Sequence, residues 1–272
     1  MKSMLDELLE RLATQDCVLV RIEATEGSVP RETGTWMAVW ADGLTGTVGG
    51  GRLEFQAEAA ARASLIDHVA LPGGDGRCRY PLGPSLGQCC GGVVHLSYRR
   101  ANAADAPALR DEFTARLPPV ALFGGGHVGA ALARLLATLP FAVRWIDSRD
   151  GVFASVLPAQ IVAEHSDPVQ AAVAGLAAGS RVLVMSFSHA EDLDIVVACL
   201  QRLRAHDDLP YIGLIGSRTK WATFRHRLEA RGFTEAELAR VTCPIGVPGI
   251  GGKEPEVIAV AVAAQLLQSL GR

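Results

Sequence analysis

Between residues 17 and 48, short apolar runs rich in β-branched residues alternate with turn chemistry: 18–24, then Gly27-Ser28-Val29-Pro30, then 35–40, then Asp42-Gly43. That rhythm predicts an antiparallel meander. After three consecutive glycines, the spacing of Leu53, Phe55 and the alanines up to Ile66 predicts a helix, and short strands return around 77–80 and 93–98. Residues 1–105 therefore read as an N-terminal α+β domain. The pattern then changes. Residues 106–118 lose the strand alternation, turn rich in Ala and Asp and run into Leu117-Pro118-Pro119, the composition of a linker with a short helix. From 119 to 272, apolar runs at 120–123, 142–146, 160–163, 181–186 and 211–215 alternate with helical stretches. Strands buried on both faces and separated by helices predict an α/β fold, a Rossmann-type doubly wound parallel sheet.

The first of those runs leads straight into Gly124-Gly125-Gly126-His127-Val128-Gly129, and an alanine- and leucine-rich helix follows. This is GxGxxG with a strand before it and a helix after it. Gly124 permits the tight turn, Gly126 lets a phosphate approach the backbone, and Gly129 lets helix and strand pack closely. With His127 and Val128, the loop offers free N–H groups and a positive helix end to a phosphate. The next strand ends at Asp147, where a carboxylate can accept hydrogen bonds from a ribose 2′-OH, and Arg149 two residues on can instead meet a phosphate. NAD, NADP and a pterin phosphate all remain open at this loop.

Two further strand ends point to the same sheet edge. Ser188-His189-Ala190-Glu191 has the form of a capping box, and His189 is either a ligand contact or a plain loop residue. Gly216-Ser217-Arg218-Thr219-Lys220 opens another helix with two cations, as a phosphate grip that includes Ser217 or as an ordinary solvated turn.

In the first domain a second glycine turn, Gly49-Gly50-Gly51 followed by Arg52, presents amides and a helix start to an anion, or else marks tight packing. Further on, Gln88-Cys89-Cys90-Gly91-Gly92 pairs two thiols within glycines. Zinc sites favour Cys pairs two to four residues apart, so zinc is disfavoured; a flexible thiol pair can ligate a soft metal or accept sulfane sulfur.

Composition narrows the function classes. A formal net charge of −3 across 272 residues, with no Lys/Arg block, gives no general attraction to nucleic acid or anionic membrane. Residues 1–12 read as an acidic amphipathic helix rather than a signal peptide, and the longest apolar run is too short to span a bilayer. A cytoplasmic protein is expected, with Cys17, Cys78, Cys199 and Cys243 as small buried hydrophobes.

These passages together resemble the XdhC family, accessory proteins of xanthine dehydrogenase. The resemblance rests on Gly27-Ser28-Val29-Pro30-Arg31, GTVGGGRLE (46–54), LGPSLGQCCGG (82–92), FGGGHVG (123–129), SHAEDLD (188–194), YIGLIGSRTK (211–220) and PIGVPGIGGKEPEVIA (244–259). It implies a protein that binds molybdenum cofactor (Mo-molybdopterin), holds it while a cysteine desulfurase supplies the terminal sulfido ligand, and delivers it to apo-xanthine dehydrogenase. It also implies that Gln88, Cys89 and Cys90 lie near the metal or dithiolene, with Cys90 as the metal ligand, and that Gly124, Gly126 and Gly129 hold a phosphate. Relatives often carry Cys or His where this chain has Arg52, so any thiolate role falls to the Cys89–Cys90 region. Two glycine turns, a soft thiol pair and no evident general base describe a carrier, plausible as a homodimer, better than a catalyst. The alternatives are an NAD(P)-dependent oxidoreductase built on the Rossmann loop and a redox-sensing module built on the vicinal cysteines.

Overall fold

The computed structural model describes residues 3–66, 69–83 and 91–271, so Gln88, Cys89 and Cys90 lie outside the described residues. The chain divides into two compact units, Met4–Glu112 and a second that runs from Phe113 to Arg272.

The first unit opens with helix α1 (Met4–Leu12), whose Leu5, Leu8 and Leu12 are buried. Strands β1 (Cys17–Glu26), β2 (Trp36–Val39) and β3 (Leu44–Gly46) form the expected meander. Helix α2 (Gly51–Ile66), β4 (Arg77–Pro81) and β5 (Val93–Ala101) complete an antiparallel sheet of order β3-β2-β1-β5-β4. Leu53, Ala57 and Ala61 recur at helical spacing and bury one face of α2 against Val18, Val20, Leu96 and Tyr98 of the sheet. Helix α3 (Ala106–Thr114) begins within this unit, where Arg21 and Arg99 hold Glu112 at 2.8 and 3.2 Å.

The second unit runs β6 (Pro119–Phe123), α4 (His127–Leu136), β7 (Ala142–Asp147), β8 (Ile161–His165), β9 (Arg181–Val184), α5 (His189–His206), β10 (Tyr211–Leu214), α6 (Arg218–Glu229), α7 (Glu235–Leu238), β11 (Val241–Thr242) and α8 (Pro255–Gln268). Its strands pair in parallel in the order β11-β10-β9-β6-β7-β8. Counted from β6, this is the 3-2-1-4-5-6 order of a doubly wound dinucleotide-binding sheet, with the reversal between β6 and β9. One face packs α4 and α8 through Leu132, Leu136, Val262 and Leu266, and the other packs α5 through Leu193, Val196 and Leu200. Each of these buried side chains contributes roughly 1.5–3 kcal/mol. Among the described residues, no helix is long and apolar enough to cross a membrane.

Candidate functional site

The carboxyl edge of the parallel sheet gathers the glycine loop and the turns after β7, β9 and β10. Gly124 has φ +118°, and a Cβ there would lie 2.0 Å from the Met185 carbonyl oxygen, so the turn after β6 is pressed against the turn after β9. Gly129 sits in the first turn of α4, where a Cβ would lie 2.0 Å from the Gly124 carbonyl oxygen. That carbonyl in turn accepts from Trp145 Nε1 at 2.9 Å. Gly126 caps α4 with φ −72°, makes no side-chain cap bond, and has nothing within 4 Å of where its Cβ would be. The loop is thus packed hard on the protein side and open on the other, and His127 beside it is exposed. An ester phosphate fits that opening, because the first amides of α4 lack intrahelical partners.

Asp147 does not stand free for a ribose, as its position at the end of β7 suggested. Its carboxylate accepts from Gly125 N at 2.6 Å, Arg149 N at 2.9 Å, Arg149 Nε at 2.9 Å and Arg149 Nη2 at 3.0 Å. A carboxylate has about four acceptor positions, so all are in use. Burial pushes the carboxyl group up, but the hydrogen bonds from Arg149 and Gly125, with the Arg149 charge, outweigh it and hold the group below its ordinary value. A depressed folded-state value means that the stabilisation is fully present above the unfolded value of 3.8 and is lost as pH falls through the folded one. Asp147→Asn is therefore expected to cost about 1–3 kcal/mol near neutral pH. Urea unfolding of both proteins checks this: the gap should hold down to the unfolded value and shrink below it, and a gap undiminished in stronger acid would contradict the assignment.

The Arg149 guanidinium lies 4.7 Å from the centre of the Phe187 ring, itself 68% exposed. Arg149 was named from the sequence as a possible phosphate contact; Phe187 was not, and its place just after the β9 strand end was the available signal. His189 is exposed at the start of α5 with its ring 6.4 Å from that of Phe224. Ser188 accepts from Glu191 N at 3.2 Å as expected, but the other half of the capping box is replaced: Glu191 accepts from Ser148 Oγ at 2.5 Å. Ser217 caps α6 by accepting from Lys220 N at 3.1 Å. Lys220 is not solvated; its ammonium donates to Asp192 at 2.5 Å and to the Ile215 carbonyl at 2.8 Å, with side chains only 11% and 3% exposed. Asp192 also accepts from Ser186 N and Oγ at 2.8 and 2.7 Å, so this pair braces the turn on which Gly124 rests.

In the first unit, three of the amides around the triple-glycine turn are already engaged. Glu54 accepts from Thr47 Oγ1, from Val48 N at 3.0 Å and from Gly50 N at 3.1 Å, while Gly49 N donates to Thr47 Oγ1 at 3.1 Å. The anion held by the Val48 and Gly50 amides is the chain's own carboxylate; Gly51 and Arg52, at the start of α2, are exposed. A Cβ at Gly49 would meet Pro30 Cγ at 2.8 Å, which sets this turn against the Gly27–Arg31 turn. The same Gly27–Arg31 turn receives Gly92, where a Cβ would lie 2.4 Å from the Ser28 carbonyl oxygen, and Leu82 N, on the other flank of the thiol-bearing segment, donates to Gly92 O at 2.8 Å. Exposed Arg31, absent from the candidates named from sequence, therefore stands beside Gly49.

Three of the remaining cysteines are held in the thiol form by burial. Burial pushes the thiols of Cys17 and Cys199 up to about 12 and that of half-buried Cys243 up to about 11. Among the described residues, no cluster of His, Cys, Asp and Glu could hold a metal ion.

Residues 120–266 match the family model described as the XdhC Rossmann domain, and residues 11–70 match that of the XdhC and CoxI family. The chain belongs to the XdhC family. A relative from Escherichia coli (strain K12), described as the uncharacterized protein YqeB, is 27% identical over 262 residues, which is 95% of this chain and 44% of that protein. This XdhC-family chain thus spans less than half the length of the curated relative it matches. A crystal structure from Bacillus halodurans, described as a xanthine dehydrogenase, has the same fold, with a TM-score of 0.67 at 19% identity over 99% of this chain and 96% of the other.

Proposed function

We propose that this XdhC-family protein is an accessory factor rather than an enzyme: it takes up Mo-molybdopterin, holds it while a cysteine desulfurase supplies the sulfido ligand, and delivers it to apo-xanthine dehydrogenase. The observation that carries the reading is the meeting, within the first unit, of the ends of the Gln88-Cys89-Cys90 segment with the Gly27–Arg31 turn and, through Pro30, with the Gly49 turn. Gly92, on the flank of a sequence segment that bears two adjacent thiols, thereby meets the turn that carries exposed Arg31. Thiolates suit a soft metal or a persulfide sulfur, and guanidinium groups suit an anionic cargo. Cys90 is assigned the metal contact, with Gln88 and Cys89 beside it. In the second unit, Gly124, Gly126, His127, Val128 and Gly129 are assigned a phosphate ester, of the cofactor or of a nucleotide. A cytoplasmic homodimer belongs to the same reading.

The fold-switch position of the glycine loop favours a second reading, an NAD(P)-dependent oxidoreductase. With NAD it is the weaker one, because the carboxylate that would receive the free ribose diol has its acceptor positions filled.

The deciding experiment is anaerobic equilibrium binding of isolated molybdenum cofactor, with NAD and NADP titrated in parallel. Cofactor binding at about micromolar or tighter, weakened at least about tenfold by Cys90→Ala (about 1.4 kcal/mol), is the expected result. Tight NAD(P) binding without cofactor uptake would overturn the reading.

A further inference from the structure

At the end of β7 a dinucleotide-binding sheet ordinarily offers a carboxylate to the neutral diol of a ribose. Here that carboxylate is only 1% exposed, and its four acceptor positions face Gly125 N and three N–H groups of Arg149. A diol arriving there finds no acceptor. It finds a guanidinium instead. Of the five N–H donors of an arginine side chain, the bidentate pairing with Asp147 uses Nε–H and one on Nη2, and does not need the Nη1 pair. The group is 37% exposed and held in a fixed plane by Asp147 on one edge and Phe187 beneath it. A planar, immobilised guanidinium recognises a phosphate bidentately at little further entropic cost. One nearby charge opposes this: Glu191, which favours the charged form of Arg149, is bound to Ser148 Oγ.

We propose that Arg149 sets the ligand specificity of this crevice, selecting a ligand that brings a phosphate to the end of β7 and rejecting one that presents a free ribose diol there. The inference rests on the reading of the glycine loop as a phosphate-ester site. It deepens that reading by naming the group the second contact requires. Phe187, exposed beside Arg149, offers a surface on which the planar ring of such a ligand can stack.

The test is calorimetric titration of the full chain with two probes that differ by one group, adenosine 2′,5′-bisphosphate and 5′-AMP. The bisphosphate is expected to bind at least about tenfold tighter, and Arg149→Gln should bring the two affinities to within about twofold. Phe187→Ala, which leaves Asp147 paired but removes one support of the guanidinium, should weaken both probes and narrow their ratio without abolishing it. Glu191→Gln should widen the ratio. Equal affinities in the wild type, a preference for 5′-AMP, no measurable binding of either probe, or an unchanged ratio in Arg149→Gln would each overturn the proposal. Gly126→Ala separates the two levels of the argument, since it should weaken both probes alike: no effect there removes the loop reading, whereas a lost ratio in the wild type removes only Arg149.

Discussion

Gly129→Ala should destabilise the second unit by about 3 kcal/mol or more, at the upper end of what overpacking costs. The added methyl group would sit 2.0 Å from the Gly124 carbonyl oxygen, and that oxygen is fixed because it accepts from Trp145 Nε1. Neither side can yield without moving the β6 turn or lifting α4 from the sheet. Gly126→Ala, three residues earlier, should change stability by no more than about 0.5 kcal/mol, because its backbone suits any residue and restraint of the unfolded chain offsets the weaker capping by alanine. Its effect should fall on binding, by about tenfold, since the methyl group projects into the open space a phosphate would use. Thermal unfolding and phosphate-ester titration of both variants check this. Equal stability losses, or equal losses of affinity from folded protein, would contradict the division of labour within the loop.

The second large effect concerns Asp192. Asp192→Ala should cost about 3–5 kcal/mol, because it strands the Lys220 ammonium in a site where it is barely exposed and removes the acceptor of Ser186 N and Oγ. Lys220→Met should also be costly, for it leaves a carboxylate that is 3% exposed without its cation. Combining Lys220→Met with Asp192→Asn removes both charges while retaining an acceptor for Ser186. That double variant should lie closer to the wild type than Lys220→Met alone, by urea unfolding. Simple addition of two losses would show that the pair does not act as an ionic unit.

The parallel sheet was legible from the chain because its inner strands β6, β7, β9 and β10 are largely buried and so write continuous apolar runs. Residues 120–123 and 142–146 fall within β6 and β7. Strand β11, two residues long at the sheet edge, leaves too short a run to register. Glycine spacing also carried the strained geometry at Gly124 and the close approach at Gly129, since only a missing Cβ satisfies either. Partner choice was not legible. Glu191 has the spacing of a capping residue for Ser188, yet its carboxylate is taken by Ser148, far away in sequence but adjacent across the strand ends. Asp147 has the position of a ribose acceptor, yet Arg149 folds back on it. Lys220 read as a solvated cation in preference to a phosphate grip, and only the fold supplied Asp192 as its neighbour. Patterns report periodicity and backbone freedom; they do not report which of several polar groups in reach wins. Gln88, Cys89 and Cys90 lie outside the described residues, and the roles proposed for them come from the family resemblance.

Glu54 gives the first unit a property of its own. A carboxylate tethered four residues from the Gly50 amide it occupies competes there as an intramolecular ligand, at an effective concentration on the order of millimolar or above. Free inorganic anions below that level lose the contest, however favourable the turn's amides are. Under the proposed carrier function, a guest would succeed only by bringing further points of attachment, and the tethered group would close the turn again once those were withdrawn. Retention under that proposal would depend on how many anchors a cargo makes at once, and release would need no separate trigger.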